Sequence, residues 1–406
     1  MRRAIVIGGS VGGLFAANML LRRGWRVDVY ERAAEALATR GAGIAGHAEL
    51  EAVMAAAGVT DTRPLGIRLE GRAAIDRRGR TIAYEAHVQH MTAWTRVFSP
   101  LRASFPDAHY HGGRELAGID QDADRVVAHF ADGSRAEGEL LIGADGFRST
   151  VRGLLAPEVL PRYGGYVAWR GLADEASLSP EFRRETFDRF VFGLPAGSQF
   201  IGYPVPGRDD SAEPGHRRYN FVWYYPVDAG APLADLLTDD AGHTHGWSIP
   251  PGRIRRCHLD ALNRQAQALL PPAFAEAVAK SRPYLFQPIY DVESSRIAFG
   301  RVALLGDAAF VARPHIGVGV LKSGQDALAL AEALSDSAVP DALEAYAAAR
   351  MPAGLLAVRF SRWLGAFIER RLDGPEDDPD LELTPARIVA VSGRPAEGQP
   401  PLPPGF

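Results

Sequence analysis

The chain has 406 residues, 47% apolar and 23% charged, with a net charge of −4. That length fits two closely joined domains better than one, and the charge gives no reason to expect nucleic acid or an anionic membrane as a partner. The lone cysteine, Cys257, excludes an intrachain disulfide, points to a reducing, cytoplasmic setting, and reads as a packed small hydrophobe rather than a nucleophile.

The chain opens with Ala4-Ile5-Val6-Ile7-Gly8-Gly9-Ser10-Val11-Gly12-Gly13-Leu14. An apolar run meets a cluster of glycines, and an apolar helical segment follows to Leu21. A second run, Val27-Asp28-Val29-Tyr30, then ends in Glu31. Strand, tight turn, helix, strand and a distal acid form the layout of a dinucleotide-binding βαβ unit. Its glycines admit a pyrophosphate to the helix N-terminus, and Glu31 is placed to accept from an adenosine ribose. A secretory signal peptide would also be apolar behind Arg2-Arg3. Four glycines, Asn18 and the missing cleavage site argue against one. Ser10 stands where the usual G-x-G-x-x-G pattern has glycine.

An alanine-rich run to Ala38 is compatible with a helix. The glycine-rich turn from Thr39 to His47 then opens a helix over Ala48 to Ala57. Bare backbone there can lie against the far end of a nucleotide cofactor, and His47 stands where a facing helix N-terminus lowers imidazole basicity. Residues 65–88 alternate as two strands around the turn Arg77-Arg78-Gly79-Arg80. Thr92 to Phe105 has helical spacing, and residues 115–137 read as a hairpin. Leu140-Leu141-Ile142 runs into Gly143-Ala144-Asp145-Gly146, a second strand end delivering an acid and a glycine to a helix start.

Residues 160–290 carry many aromatics in short β-type runs, which predicts an antiparallel sheet with an aromatic face, although aromatics favour strands in any case. A helix containing Leu259, Leu262 and Leu269 follows. Arg301 to Ala309 then gives a third strand end, at Gly306-Asp307, and Pro314-His315-Ile316-Gly317-Val318-Gly319 precedes a helix over Val320 to Leu334. Residues 341–370 are predicted helical. The tail from Gly374 to Phe406, acidic and then proline-rich, reads as an extended or poorly ordered arm.

Together, Gly8–Gly13 with Glu31, Gly143-Ala144-Asp145-Gly146, and Gly306-Asp307-Ala308-Ala309 with Pro314 and Gly317-x-Gly319 resemble the single-component flavin-dependent aromatic hydroxylases, whose fold is that of para-hydroxybenzoate hydroxylase. The resemblance spans about residues 3–350. Tyr166-Val-Ala-Trp169-Arg170-Gly171, Tyr203-Pro204-Val205-Pro206-Gly207, Asn220 to Tyr224, and Arg313-Pro314-His315 with Lys322 are similar to the 2,6-dihydroxypyridine 3-hydroxylase branch. Leu321 stands where the family has asparagine. The resemblance implies an α/β fold: a Rossmann-like FAD-binding domain of the GR2 βαβ type (1–75, 106–160 and 287–350) interleaved with a β-rich, antiparallel-sheet substrate domain (76–105 and 161–286). A C-terminal helix and proline-rich tail complete it (351–406).

The same resemblance implies tightly bound FAD, transient NADH or NADPH, O2, a small aromatic or heteroaromatic substrate and no metal, and it leaves room for a homodimer. Gly8, Gly9, Ser10, Val11, Gly12 and Gly13 would hold the pyrophosphate, Glu31 the adenosine ribose, and Asp307 after Gly306 the ribityl chain, with Arg32 also in contact with the cofactor. Gly317, Val318, Gly319 and Val320 would lie by the isoalloxazine, with Arg40, Gly43, Ile44, Asp145 and Pro314 as further cofactor contacts. A flavin hydroperoxide does the hard chemistry in such enzymes. The protein holds an electron-rich ring beside it, helps deprotonate the ring hydroxyl and excludes water. Candidate catalytic groups are His47, Tyr203 and His315. Arg170 reads as a structural ion-pair partner, and Lys322 as structural or close to the flavin. A larger phenol, pyridone or polyketide is the alternative substrate, and a non-catalytic flavin-binding protein the alternative function. The Trp-x-Trp-x-Ile-Pro signature of flavin halogenases is absent.

Overall fold

The computed structural model describes residues 1–34, 43–61, 63–208, 210–250 and 252–406. Its first sheet has six strands, in the spatial order β16 (Ala298–Phe299), β17 (Val302–Leu304), β10 (Leu140–Gly143), β1 (Arg3–Ile7), β2 (Arg26–Glu31) and β6 (Tyr110–Gly112). All neighbours pair in parallel except β16 with β17. The near-continuous apolar runs of β1 and β10 follow from burial on both faces. Helices α1 (Val11–Arg22) and α9 (Gly319–Ala333) pack against each other on this sheet. Gly8, Glu31, Gly143 and Gly306 all fall at the carboxyl ends of four adjacent parallel strands. The chain leaves β1 toward β2 on one side and β10 on the other, the switch point where open α/β sheets bind ligands.

The second sheet has nine strands: β18 (Phe310–Val311), β15 (Tyr284–Glu293), β11 (Arg162–Asp174), β14 (Arg218–Pro226), β13 (Gln199–Val205), β12 (Phe190–Gly193), β4 (Ile67–Ile75), β5 (Thr81–Ala93) and β3 (Gly43–Gly46). It is antiparallel apart from the β12–β4 pair. Residues 43–46 are therefore a strand, not the glycine turn expected there. They pair with β5 because Gly46 and Gly66 let backbones approach that any Cβ would block. With β4, β15 and β18 they also carry parts of 1–75 and 287–350 into this sheet.

Side-chain alternation along β11 divides two cores. Val167 and Trp169 face α7 (Arg256–Leu269) and α8 (Pro272–Lys280), together with Phe200, Phe221 and Trp223. Tyr166 and Ala168 face the long helix α10 (Val339–Glu369) and α11 (Pro385–Val391), together with Tyr203 and Tyr224. A three-stranded hairpin sheet, β7 (Leu116–Gln121), β8 (Val126–Phe130) and β9 (Arg135–Gly138), flanks β1. The remaining helices are α2 (Ala48–Ala56), α3 (Trp94–Ala103), α4 (Thr150–Leu155), α5 (Pro180–Glu185) and α6 (Ala231–Leu236). No helix among the described residues is long and apolar enough to cross a membrane.

Two further expectations fail. The tail is not a loose arm: Ile388, Val389 and Val391 of α11 are buried against β4 and β5, and Trp363 donates to the Leu381 carbonyl at 2.7 Å. Its apolar residues cover a sheet face that α10 leaves open. Cys257 is exposed near the start of α7 rather than packed, because Leu262 and Ala266 form the buried stripe of that helix.

Candidate flavin and substrate site

The turn after β1 is built on missing side chains. Gly8 has φ +106°, and a Cβ there would stand 2.4 Å from the Ala144 carbonyl oxygen. A Cβ on Gly13 would stand 1.9 Å from the Gly8 oxygen, and one on Gly9 2.2 Å from the Tyr110 hydroxyl. Ser10, the departure from the usual pattern, has φ −84° and is the N-cap of α1. No glycine is required at that conformation, and its side chain does not cap the helix. The N-terminus of α1 is thus left open to an anion. Glu31 accepts from the Gly9 amide at 2.8 Å and from the Ala33 amide at 2.9 Å, which aims its carboxylate across the turn.

Gly8, Ser10 and Glu31 line a cavity of about 350 Å³ with Tyr30, Arg32, Trp94, Arg114, Leu116, Asp145, Gly146 and Thr150. Asp145 is mainly occupied in the protein. It accepts from the Ser149 hydroxyl at 2.5 Å and from the amides of Thr150 at 2.6 Å and Val151 at 3.2 Å. Burial pushes its carboxyl up against those bonds.

A second cavity, of about 260 Å³, lies between the sheets. Asp307, Pro314, Gly317, Val318, Gly319 and Val320 form one wall; Gly43, Ile44, Arg170, Phe190, Ile201, Tyr203, Val222 and Tyr224 form the other. Asp307 is enclosed by the protein except where its accessible surface opens into the cavity. Burial by the surrounding protein pushes its carboxyl up, with Lys322 and Arg152 opposing. Lys322 is buried in α9. It donates to the Gly306 carbonyl at 2.8 Å and to Asp326 at 3.2 Å, and Asp326 in turn accepts from the Gly306 amide at 3.1 Å. Arg350 closes the group on Asp326 at 2.7 Å. This network holds Gly306, at φ +63°, and so places Asp307. Gly317 has φ +61°, and a Cβ on it would stand 3.1 Å from the Gly393 Cα. Beyond Gly319 there is open space.

The three catalytic candidates sit differently. Tyr203 is in the wall, its ring so close to Gly43 that a Cβ on the glycine would meet it at 2.7 Å. Burial pushes its hydroxyl up, and the neighbouring Arg170 guanidinium pulls it back. His315 is buried and spoken for on both nitrogens. Nδ1 donates to the Gln199 amide oxygen at 2.9 Å, and Nε2 accepts from the Tyr166 hydroxyl at 2.7 Å. Burial first, then Arg313, lowers its pKa to about 3, so the ring is neutral near pH 7. His47 does not line the cavity. It is the N-cap of α2, and its Nε2 donates to the Gly317 carbonyl at 3.3 Å. Its pKa is lowered as expected, but by burial ahead of any other cause.

Arg170 is in no ion pair among the described residues. Its Nη2 donates to the Gly43 carbonyl at 3.3 Å instead, so the expected structural pairing fails. Arg40 lies outside the described residues. Sequence reasoning missed Trp94, Arg114 and Leu116 at the first cavity and Tyr224 and Gly393 at the second. Gly393 had no signal: it arrives from the tail, where its amide donates to the His315 carbonyl at 2.8 Å and Arg72 holds its carbonyl at 3.3 Å.

The turn, the open α1 N-terminus, the exposed Asp307 and the bare backbone at Gly317–Gly319 fit an elongated dinucleotide with a pyrophosphate at its middle and a flat ring at one end. The FAD-binding domain family model matches residues 2–179 and 263–361. The chain belongs to this family. A second, FAD-binding-domain-like model of the same kind matches residues 163–291. Among curated relatives, 2,6-dihydroxypyridine 3-monooxygenase of Paenarthrobacter nicotinovorans is 33% identical over 81% of this chain and 82% of its own length. The structure of 2,6-dihydroxypyridine-3-hydroxylase from Arthrobacter nicotinovorans superposes with a TM-score of 0.84 at 29% identity, covering 93% of this chain and 95% of that one. Klebsiella pneumoniae HpxO in complex with FAD and uric acid superposes at 0.75 with 25% identity, over 96% and 95% of the two chains. The α/β family fold, with its two sheets and C-terminal helices, is as the motifs implied.

Proposed function

We propose that the protein is an FAD-dependent monooxygenase that takes electrons from NADH or NADPH and hydroxylates a small, electron-rich hydroxylated ring, with 2,6-dihydroxypyridine-like compounds favoured. The observation that carries this reading is the second cavity, where the flavin-facing backbone of Gly317–Val320 meets a tyrosine-bearing wall. FAD, when bound, supplies the reduction of O2 and the transfer of one oxygen atom. The chain's own residues bind, orient and shield.

Gly8 to Gly13 and the α1 N-terminus would hold the pyrophosphate, Glu31 the ribose, Asp307 the ribityl chain. Tyr203 presents its hydroxyl to the substrate's ring hydroxyl. His47 from behind the wall and His315 within it would hold the Gly317 strip in place. Apolar neighbours such as Phe190, Ile201 and Val222 exclude water, so that activated oxygen meets the ring rather than escaping as peroxide. The 33% identity to a 2,6-dihydroxypyridine 3-monooxygenase over 81% of the chain favours a single-ring substrate over a polyketide. A cytoplasmic setting stays part of the proposal on the strength of the lone cysteine.

The test is a panel of hydroxypyridines, phenols and larger polyphenols, scored for product by mass because uncoupled oxidation also consumes NADH. The purified protein should be yellow, and a hydroxypyridine should give product. A protein that stays colourless after reconstitution with FAD, or a panel giving only peroxide, would sink the reading.

A further inference from the structure

We propose that Arg170 determines specificity in the second cavity by taking an anionic oxygen on a planar ring, so that ionised rings are selected over neutral ones of the same shape. The proposal rests on the functional reading above, because it assigns a ligand to that cavity.

Alternation along β11 carries Arg170 to the same face as Tyr166 and Ala168, the face that looks into the cavity rather than toward α7 and α8. A guanidinium has five N–H groups to satisfy. The protein offers Arg170 little: one 3.3 Å bond to the Gly43 carbonyl and the neighbouring Tyr203 hydroxyl. Its Nε is buried and has no partner among the described residues.

Other buried arginines are handled differently. Arg313 pairs with Asp291 and Glu369, each at 2.8 Å. Arg72 and Arg152 lack a carboxylate too, but each is taken up by several oxygens. Arg72 donates to Gln89, Ser392 and Gly393; Arg152 donates to the carbonyls of Phe147, Asp307 and Ala308. A cation held half-buried among tyrosines and aliphatics, with no counter-ion among the described residues, costs the fold free energy. That cost is recovered when a ligand brings the missing anion.

The planar fork suits either of two oxygens: a ring carboxylate, bound by two parallel bonds, or a ring olate, bound by one or two. Tyr203 stands beside the fork and Tyr224 lines the same wall. An anionic oxygen at Arg170 therefore also lies within reach of the Tyr203 hydroxyl.

The test measures dissociation constants on the FAD-loaded protein by quenching of flavin fluorescence, without turnover. Benzoate is compared with benzamide, and 4-nitrophenolate with nitrobenzene. In the native protein at least one ionised probe should bind on the order of tenfold or more tighter than its neutral counterpart, and the pair that discriminates identifies the source of the anion. Arg170→Gln should bring that pair to parity, losing affinity for the ionised probe and keeping it for the neutral one. An equal loss for both probes marks a residue that only holds Gly43, and overturns the proposal. So does discrimination that survives in Arg170→Gln. Should that variant fail to fold, Arg170→Met, which keeps the apolar stem, replaces it, and parity in the native protein overturns the proposal with no variant at all. The functional reading fails separately, through a protein that binds no flavin; a flavin-loaded, hydroxylating protein at parity overturns only the role of Arg170.

Discussion

A methyl group on Gly13 would stand 1.9 Å from the Gly8 carbonyl oxygen, with backbone on both sides of the clash. Nothing there can swing away, so Gly13→Ala should cost about 1–3 kcal/mol of stability and lower the flavin-to-protein ratio, read from visible absorbance. Gly12→Ala is the control: its nearest neighbours are the movable side chains of Leu305 at 3.3 Å and Ser323 at 3.4 Å, and most of the flavin should remain. His315 makes a prediction about pH. Its pKa falls from an ordinary 6.5 to about 3 in the folded protein. Between those values the unfolded chain takes up a proton that the native ring refuses. The stability tied to this residue is complete above its unfolded pKa and drains away as pH falls toward 3. Urea unfolding should show the native protein losing about 2 kcal/mol more than His315→Gln between about pH 7 and pH 5. Equal losses would place the proton elsewhere.

At the scale of elements, two devices shape the second cavity, and they differ in how visible they were beforehand. The first is α9. Lys322 stood out in the sequence only through its place beside the Arg313-Pro314-His315 motif, and its partners Asp326 and Arg350 carry no motif. Their convergence on Gly306 needs the fold. Lys322→Met should leave the Gly306 carbonyl and part of Asp326 unsatisfied, costing about 1–3 kcal/mol; thermal melting with and without FAD checks this. The second device is the tail. Its proline-rich, acidic composition hides a short helix whose apolar residues matter only because β4 and β5 leave a face open. Truncation after Thr384 should uncover Gly317 and raise the share of NAD(P)H that ends as hydrogen peroxide, measured with a peroxide probe. An unchanged share would remove the tail from the site. The opposite lesson comes from β11 to β14. The aromatic richness was legible, but period-two alternation sends Trp169, Phe200, Phe221 and Trp223 into the rear core and leaves mainly Tyr203, Tyr224 and Phe190 at the cavity.

For the whole molecule, the glycine-and-acid pairs were readable because each sits at a strand end, where backbone geometry restricts the residue type. Four such ends become neighbours in the first sheet, so motifs more than a hundred residues apart assemble one cradle. The far wall of the second cavity was less readable. It is contributed by β3, β11, β13, β14 and the loop before α9, and pairing between distant strands, not local pattern, brings Gly43 against Tyr203 and Arg170 against Gly43. The same pairing moved 43–46 and 67–75 into the second sheet, where the sequence alone offered no reason to place them.

The claim that joins these scales is that one oxygen atom passes from O2 to a ring held in the second cavity. Turnover of a hydroxypyridine under isotopically heavy O2 in ordinary water tests it most directly, with product read by mass spectrometry. The product should carry one heavy oxygen atom per turnover, and none when only the water is labelled. Product whose new oxygen comes from water, or a flavin-loaded protein that yields peroxide with every ring offered, would contradict it.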